Sequence, residues 1–203
     1  FDERYIRSDA DWEARLYPEL RAFLLAAAKG QPRLRLALDA HVTLAFAAGS
    51  IINIKSGRQV ELEQRSTGRR LWSPDDTAPD PNWPTLVAET VELQPEQPDI
   101  AVALGLTHDV STDVSRYCES ALPSVGRLVI LRPRSGSGAQ SVACGRHAFE
   151  LADAATSAVR ATKANSLGMT HLFVAAPNAF TFFLGQRQTA LGSVRLYEFD
   201  FDG

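Results

Sequence analysis

The sequence predicts an α/β protein with mostly parallel sheets flanked by helices, arranged as two Rossmann-like lobes over residues 1–84 and 85–203. Three observations carry that expectation. Beyond Asp99, continuous apolar runs alternate with segments of helix length, the pattern of parallel strands covered on both faces. A strand–turn–helix unit recurs within the chain at an offset of 136 residues, from Leu36 to Leu172. Of the 203 residues, 45% are hydrophobic and 22% charged, which supplies a substantial core and argues against disorder.

Asp9 to Gly30 reads as helix, because Trp12, Leu16, Leu20, Phe23, Leu24 and Ala27 recur at helical spacing and Gly30 suits a left-handed C-terminal position. Pro18 fits a first-turn position or a kink, so this stretch can be two helices. Leu34 to Leu38 is a short buried strand, followed by an apolar helix from about His41 to Ile52. Lys55 to Arg70 predicts a basic hairpin turning around Ser56-Gly57-Arg58. Ser73 to Pro84 is rich in Pro and Asp and reads as a linker, and Thr85 to Leu93 alternates weakly, as a strand does. The remainder predicts strands at Ile100–Leu106, Arg127–Leu131, His171–Ala175 and Val194–Phe199. Helices are expected at Asp109–Leu122, Arg146–Asn165 and Pro177–Leu191.

The internal match places Leu36 to Gly49 over Leu172 to Gly185 without a gap. Leu36/Leu172, Ala40/Ala176, Phe46/Phe182 and Gly49/Gly185 are identical. Duplication predicts a pseudo-dimer of related lobes; two apolar strand–helix units can also match through composition alone.

Charge excludes some partners. Lys and Arg number 21 against 24 Asp and Glu, a net of -3, whereas a surface that wraps duplex nucleic acid is strongly basic. Direct DNA binding is therefore not expected, while a small anion can still be held by a few local cations. No apolar run approaches the roughly 20 residues that span a bilayer, and no signal-peptide pattern opens the chain. Cys118 and Cys144 lack CxxC or Cys/His spacing and read as a buried, reduced pair of a cytoplasmic protein. The start at Phe1 and the end at Asp202-Gly203 suggest a piece of something longer.

Ligands of open α/β sheets bind beyond the carboxyl ends of strands, where helix N-termini present free N–H groups. At one such end Thr107 and His108 can donate to a ligand, or Thr107 and Asp109 can simply cap the next helix. At another, Arg132, Arg134 and the small residues Ser135, Gly136, Ser137 and Gly138 form either an anion-cradling nest or a mobile surface loop. Pro177 and Asn178 open a helix directly after a strand; Asn178 can read a base edge or cap that helix. Trp72, Trp83 and Phe180 can stack on bases, at about 1–3 kcal/mol per base, or pack in the core. Lys55, Arg58, Arg65, Arg69 and Arg70 make a basic stretch suited either to solvent or to phosphate. Glu61, Glu63, Glu89 and Glu92 read as outward strand positions. GxSxG, HExxH and HNH-type patterns are missing, so neither a catalytic set nor a metal site is expected.

These pieces together resemble the SAVED domain, a sensor module fused to effectors in bacterial CBASS anti-phage systems. The likeness rests first on His171–Gly185 (HLFVAAPNAFTFFLG) followed by Val194–Phe199 (VRLYEF): an apolar strand, AAP, an apolar helix ending near Gly, and a strand containing YE. Ile100–Val110 (IAVALGLTHDV) and the run ending Phe46-Ala47-Ala48-Gly49 extend it from about residue 33 onward. The resemblance implies a single sensor domain of two fused CARF-like Rossmannoid lobes. It implies a cyclic di- or trinucleotide in the cleft between them, self-association on binding, and activation of a fused nuclease or other effector in the bacterial cytoplasm. With no cofactor implied, phosphates would fall to Lys55, Arg132, Arg134 and the Ser135–Gly138 loop. Stacking would fall to Trp72 and Phe180, and base edges to Gln64, Thr107, His108 and Asn178. A ring nuclease assisted by His108, Lys55 or Ser135 is the enzymatic alternative, and a ligand-free interaction domain the third.

Overall fold

The computed structural model describes residues 11–66, 68–163 and 167–198. The Asp11 carboxylate accepts the Ala14 amide and caps a π-helical turn, Trp12–Leu16, that runs directly into α1 (Tyr17–Ala28). Pro18 lies in the first turn of α1, where no amide is required. Gly30 follows at φ 71°, in the left-handed region anticipated for it.

The first sheet comprises β1 (Arg33–Ala37), β2 (Gln59–Ser66) and β3 (Gly68–Trp72), with α2 (Val42–Ile51) crossing from β1 to β2. β1 and β2 are parallel, β2 and β3 antiparallel. The hairpin does not turn at residues 56–58. Gly57, at φ 67°, closes a 3-10 turn (Ile54–Ser56) before β2 begins, and the reversal falls where Ser66 opposes Gly68. Leu34 and Leu36 point into the core, while the opposite face carries an ion-paired ladder, Arg35 to Glu61 at 3.1 Å and Glu63 to Arg69 at 3.2 Å.

The second sheet is built from β4 (Leu86–Glu92), β5 (Asp99–Gly105), β6 (Val125–Pro133), β7 (Thr170–Ala175) and β8 (Val194–Tyr197), in the order β4-β6-β5-β7-β8. Every neighbouring pair is parallel except β4 with β6. β5 is central and buried from Ile100 to Gly105, which is why its sequence does not alternate. Helices α3 (Ser111–Ala121), α4 (Gly145–Lys163), α5 (Asn178–Gly185) and the short α6 (Gln188–Leu191) complete it. The helix expected over Pro177–Leu191 is thus two. It breaks at Gln186-Arg187, where the buried Arg187 guanidinium turns onto Asp153 at 3.0 Å, the Phe183 carbonyl and the Phe149 ring. Phe199, Ala164 and Asn165, the ends of an expected strand and helix, lie outside the described residues.

α2 and α5 pack against each other at the centre of the molecule. A Cβ on Gly49 would stand 2.0 Å from the Phe182 carbonyl oxygen, and one on Gly185 would stand 2.1 Å from that of Phe46. These are two of the four identical pairs of the internal repeat, each contacting the other's partner. Reciprocal contact of that kind is the signature of a two-fold relation. It also explains the composition of both helices, since a helix covered all round is apolar all round.

Ser73–Pro84 has no regular structure, yet it is fastened down. The Asp76 carboxylate accepts the Gly145 and Arg146 amides at 2.7 and 3.0 Å, capping α4 from a distant part of the chain. His147, buried, accepts the Ala143 amide at Nδ1 and bonds the Pro84 carbonyl through Nε2, while its ring stacks on Trp83 at 5.0 Å. Both contacts are satisfied only by the neutral Nε2–H tautomer. Burial holds its pKa below the ordinary 6.5, so the unfolded chain binds the proton more readily than the folded one. Stability is then full above about pH 6.5 and declines as pH falls toward the lower folded value. Thermal melts should therefore show a falling Tm between about pH 6.5 and pH 5, and His147→Gln should flatten that slope; an unchanged slope would assign it to other groups.

Candidate functional site

The carboxyl ends of both sheets open on one side of the α2–α5 contact. There a pocket of about 150 Å³ is lined by Ala37, Leu38 and Asp39 beyond β1, by Glu63, Gln64 and Arg65 of β2, and by Asn178 of the other lobe. Strand alternation explains which side chains reach it. In the β2–β3 register Leu62 opposes Trp72 and Gln64 opposes Arg70, so Gln64 continues an inward-facing row until it meets the first turn of α5.

The pocket joins the lobes through polar contacts. Asn178 Nδ2 donates to the Leu38 and Ala40 carbonyls at 2.8 and 2.7 Å, spending both its donors on the turn that follows β1. The Gln64 side-chain oxygen accepts the Ala179 amide at 3.4 Å, and its amide donates to the Arg65 carbonyl. Pro177 is the N-cap residue of α5, with extended backbone that aims the helix N-terminus at the crevice. At the mouth, Arg65 pairs with Asp39 at 2.7 Å, and both side chains are more than half exposed. Gln64 and Asn178 are thus brought together at the pocket, with Pro177 beside them. Asp39 and Arg65 were visible only as a strand-end residue and as one member of a basic run.

Other anticipated residues lie along the same edge but outside this pocket. The Thr107 amide donates to the Ala175 carbonyl at 3.0 Å, which sets Thr107 and His108 beside the end of β7. The Thr107 hydroxyl lies 3.1 Å from His108 Nδ1. Asp109 accepts the Ser111 amide at the start of α3, and that bond, with help from Arg132, holds its carboxyl below the usual range. Arg132 pairs with Glu89 at 3.1 Å. The exposed Arg134 is tied through its amide to the Thr85 carbonyl.

Three expectations need correcting. The Ser135–Gly138 loop does not present an inward nest: the Gly136 and Gly138 amides donate to the Pro133 and Leu106 carbonyls, and the Ser137 hydroxyl to the Gly105 carbonyl. Trp72, 6% exposed, and Phe180, fully buried, are core side chains rather than walls of an open cleft, because the strand face and the helix that carry them both point between the lobes. Lys55 sits beyond the C-terminus of α2; that helix has 10 residues, which puts the lysine about 15 Å from the α2 N-terminus and the strand tips.

Burial pushes the Cys118 thiol up to about 11 and raises Cys144 as well, so neither is an activated nucleophile. Among the described residues no group of three or more His, Cys, Asp or Glu side chains is placed to hold a metal ion. None of their helices is long and apolar enough to cross a membrane. A larger groove, about 420 Å³, runs beside the edge strand β8 between Trp12, Tyr17 and Arg195, and is lined by none of the anticipated ligand-binding residues.

Comparison with known proteins gives a consistent answer. The family model described as SAVED, "SMODS-associated and fused to various effectors sensor domain", matches residues 16–203. CD-NTase-associated protein 4 of Enterobacter hormaechei subsp. hoffmannii (strain UCI 50) is 32% identical over 202 residues, which cover 99% of this chain and 40% of that protein. The Acinetobacter baumannii Cap4 SAVED/CARF-domain containing receptor with the cyclic trinucleotide 3'3'3'-cAAA superposes with a TM-score of 0.70 at 19% identity, over 92% of this chain and 41% of that one. The corresponding Moraxella osloensis receptor gives 0.64 at 16% identity, over 92% and 39%. The chain therefore spans about 40% of the length of these relatives.

Proposed function

The chain belongs to the SAVED sensor-domain family, and from that premise we propose that it binds a cyclic oligonucleotide in the crevice between its two lobes. The observation that carries this reading is the convergence of the β1 and β2 tips with the N-terminus of α5 on one pocket, lined by Gln64, Arg65 and Asn178. A cyclic di- or trinucleotide carries one negative charge per phosphate. Arg65 and the partial positive charge of the α5 N-terminus favour such a group. A volume of about 150 Å³ takes one part of the ring, below the several hundred Å³ of a site that encloses a whole ligand. The remainder would lie across Thr107, His108, Arg132 and Arg134 on the same edge.

On this reading the lobes, joined near residues 84 and 85, act as one receptor, and bound messenger favours an assembled state that switches a linked effector. Such a switch requires the ligand to prefer one state over the other. The Acinetobacter baumannii receptor solved with 3'3'3'-cAAA supports the ligand class.

Titration with 3'3'3'-cAAA and a panel of other cyclic di- and trinucleotides tests the proposal. At least one compound should bind the wild-type chain, raise its Tm and be recovered intact. Arg65→Glu should weaken that binding by roughly tenfold or more, since it turns an attraction at the pocket mouth into a repulsion. Lys55→Glu, on the far side of α2, should leave it unchanged. Equal loss in both variants would point to nonspecific charge attraction, and linearised ligand to a nuclease.

A further inference from the structure

The reciprocal contact of α2 and α5 extends to the caps of the two helices. Ala179, in the first turn of α5, receives its cap from Gln64 at the end of β2. Thr43 stands one repeat earlier in the first turn of α2, and its amide donates to Glu198 at 2.8 Å, just beyond β8. The Thr43 hydroxyl donates to the same carboxylate oxygen. The strand registers make the two caps equivalent: Leu34 pairs with Val60 as Thr170 pairs with Val194, which sets Gln64, near the end of β2, and Glu198, just past β8, at matching places. Each lobe caps the central helix of the other.

The consequence falls on the wall of the nucleotide pocket. Leu38 and Asp39, which begin the turn Leu38-Asp39-Ala40-His41, form part of that wall, and Asp39 is the partner of Arg65. Second-lobe side chains grip it at both ends: Asn178 holds the Leu38 and Ala40 carbonyls, and Glu198 stands 3.5 Å from His41 Nδ1 while capping the helix that follows. Glu198 is mostly buried and does not line the pocket.

We propose that Glu198 is a positioning residue for the nucleotide pocket, setting the first-lobe wall from the second lobe; this rests on the binding function proposed above. Its work is that of an oxygen acceptor at a helix N-terminus, which Gln64 performs at the equivalent place without a charge.

Two measurements on Glu198→Ala and Glu198→Gln test it. In the absence of nucleotide, amide hydrogen exchange over residues 38–43 should quicken in Glu198→Ala, remain near wild type in Glu198→Gln, and stay unchanged in β5 in both. With the cyclic oligonucleotide that binds the wild type, affinity should fall roughly tenfold in Glu198→Ala, the scale of a lost cap, and recover to within a few-fold in Glu198→Gln. Unchanged exchange over 38–43 in Glu198→Ala overturns the positioning role whatever the ligand does. So does altered exchange with unaltered affinity, or a Glu198→Gln variant as weak as Glu198→Ala. If the wild type binds nothing in the panel, the binding function falls and the role assigned to Glu198 falls with it, whereas the exchange data still report on the cap.

Discussion

Gly185→Ala is expected to be among the most damaging single-methyl additions in this chain. The new Cβ would stand 2.1 Å from the Phe46 carbonyl oxygen, a backbone atom that cannot rotate aside, so the two central helices must separate. Overpacking of a rigid contact costs about 3 kcal/mol here, which for a chain of this size lowers Tm by roughly 6–12 °C. The competing effect has the opposite sign, because Ala is favoured over Gly inside a helix by about 1 kcal/mol. A Tm equal to or above wild type would mean that the helices part freely and that their contact does not join the lobes. Gly49→Ala should cost about as much, since it meets the Phe182 carbonyl at 2.0 Å. The double variant should cost less than the sum, because the first substitution already opens the gap that the second needs.

Asn178→Leu should affect both fold and binding. The substitution keeps the volume but removes the donors that satisfy the Leu38 and Ala40 carbonyls. Each acceptor left without its partner costs about 1–3 kcal/mol, toward the lower end where water can reach it. A total of roughly 2–3 kcal/mol implies a Tm lower by about 4–12 °C. Affinity for a cyclic oligonucleotide should fall as well, because the turn behind Asp39 is no longer held. Arg65→Glu provides the contrast: its side chain is 61% exposed, so affinity should drop with little change in Tm. An Asn178→Leu variant with native Tm would show that water replaces the amide and that the lobes are not joined there.

Much of this architecture was legible in the chain because burial leaves a periodic mark. β5 and β7 read as continuous apolar runs since both faces of the second sheet are covered, and the 136-residue repeat named in advance the Phe and Gly pairs that meet at the centre. The polar caps left no such mark. Gln64 and Glu198 act on helices of the other lobe, and no spacing rule along the sequence relates a strand end to the helix it will meet in space. Trp72 lies in a basic, glycine-containing stretch that suggests exposure; the β2–β3 register with Leu62 is what turns it inward. The Ser135–Gly138 loop looked like an anion nest because its small residues can turn their amides inward. Those amides instead meet carbonyls at the ends of β5 and β6, partners that only the folded sheet supplies. Two glycines competed for the hairpin, and the 3-10 turn took Gly57.

Amide chemical-shift mapping of the chain, titrated with the cyclic oligonucleotide that raises its Tm most, tests the interlobe receptor most directly. The largest shifts should cluster at Leu38–Asp39, Gln64–Arg65 and Asn178–Ala179, with smaller ones at Thr107–His108. Shifts confined to the Lys55 end of α2 or to the groove between Trp12 and Arg195, with the crevice silent, would contradict it.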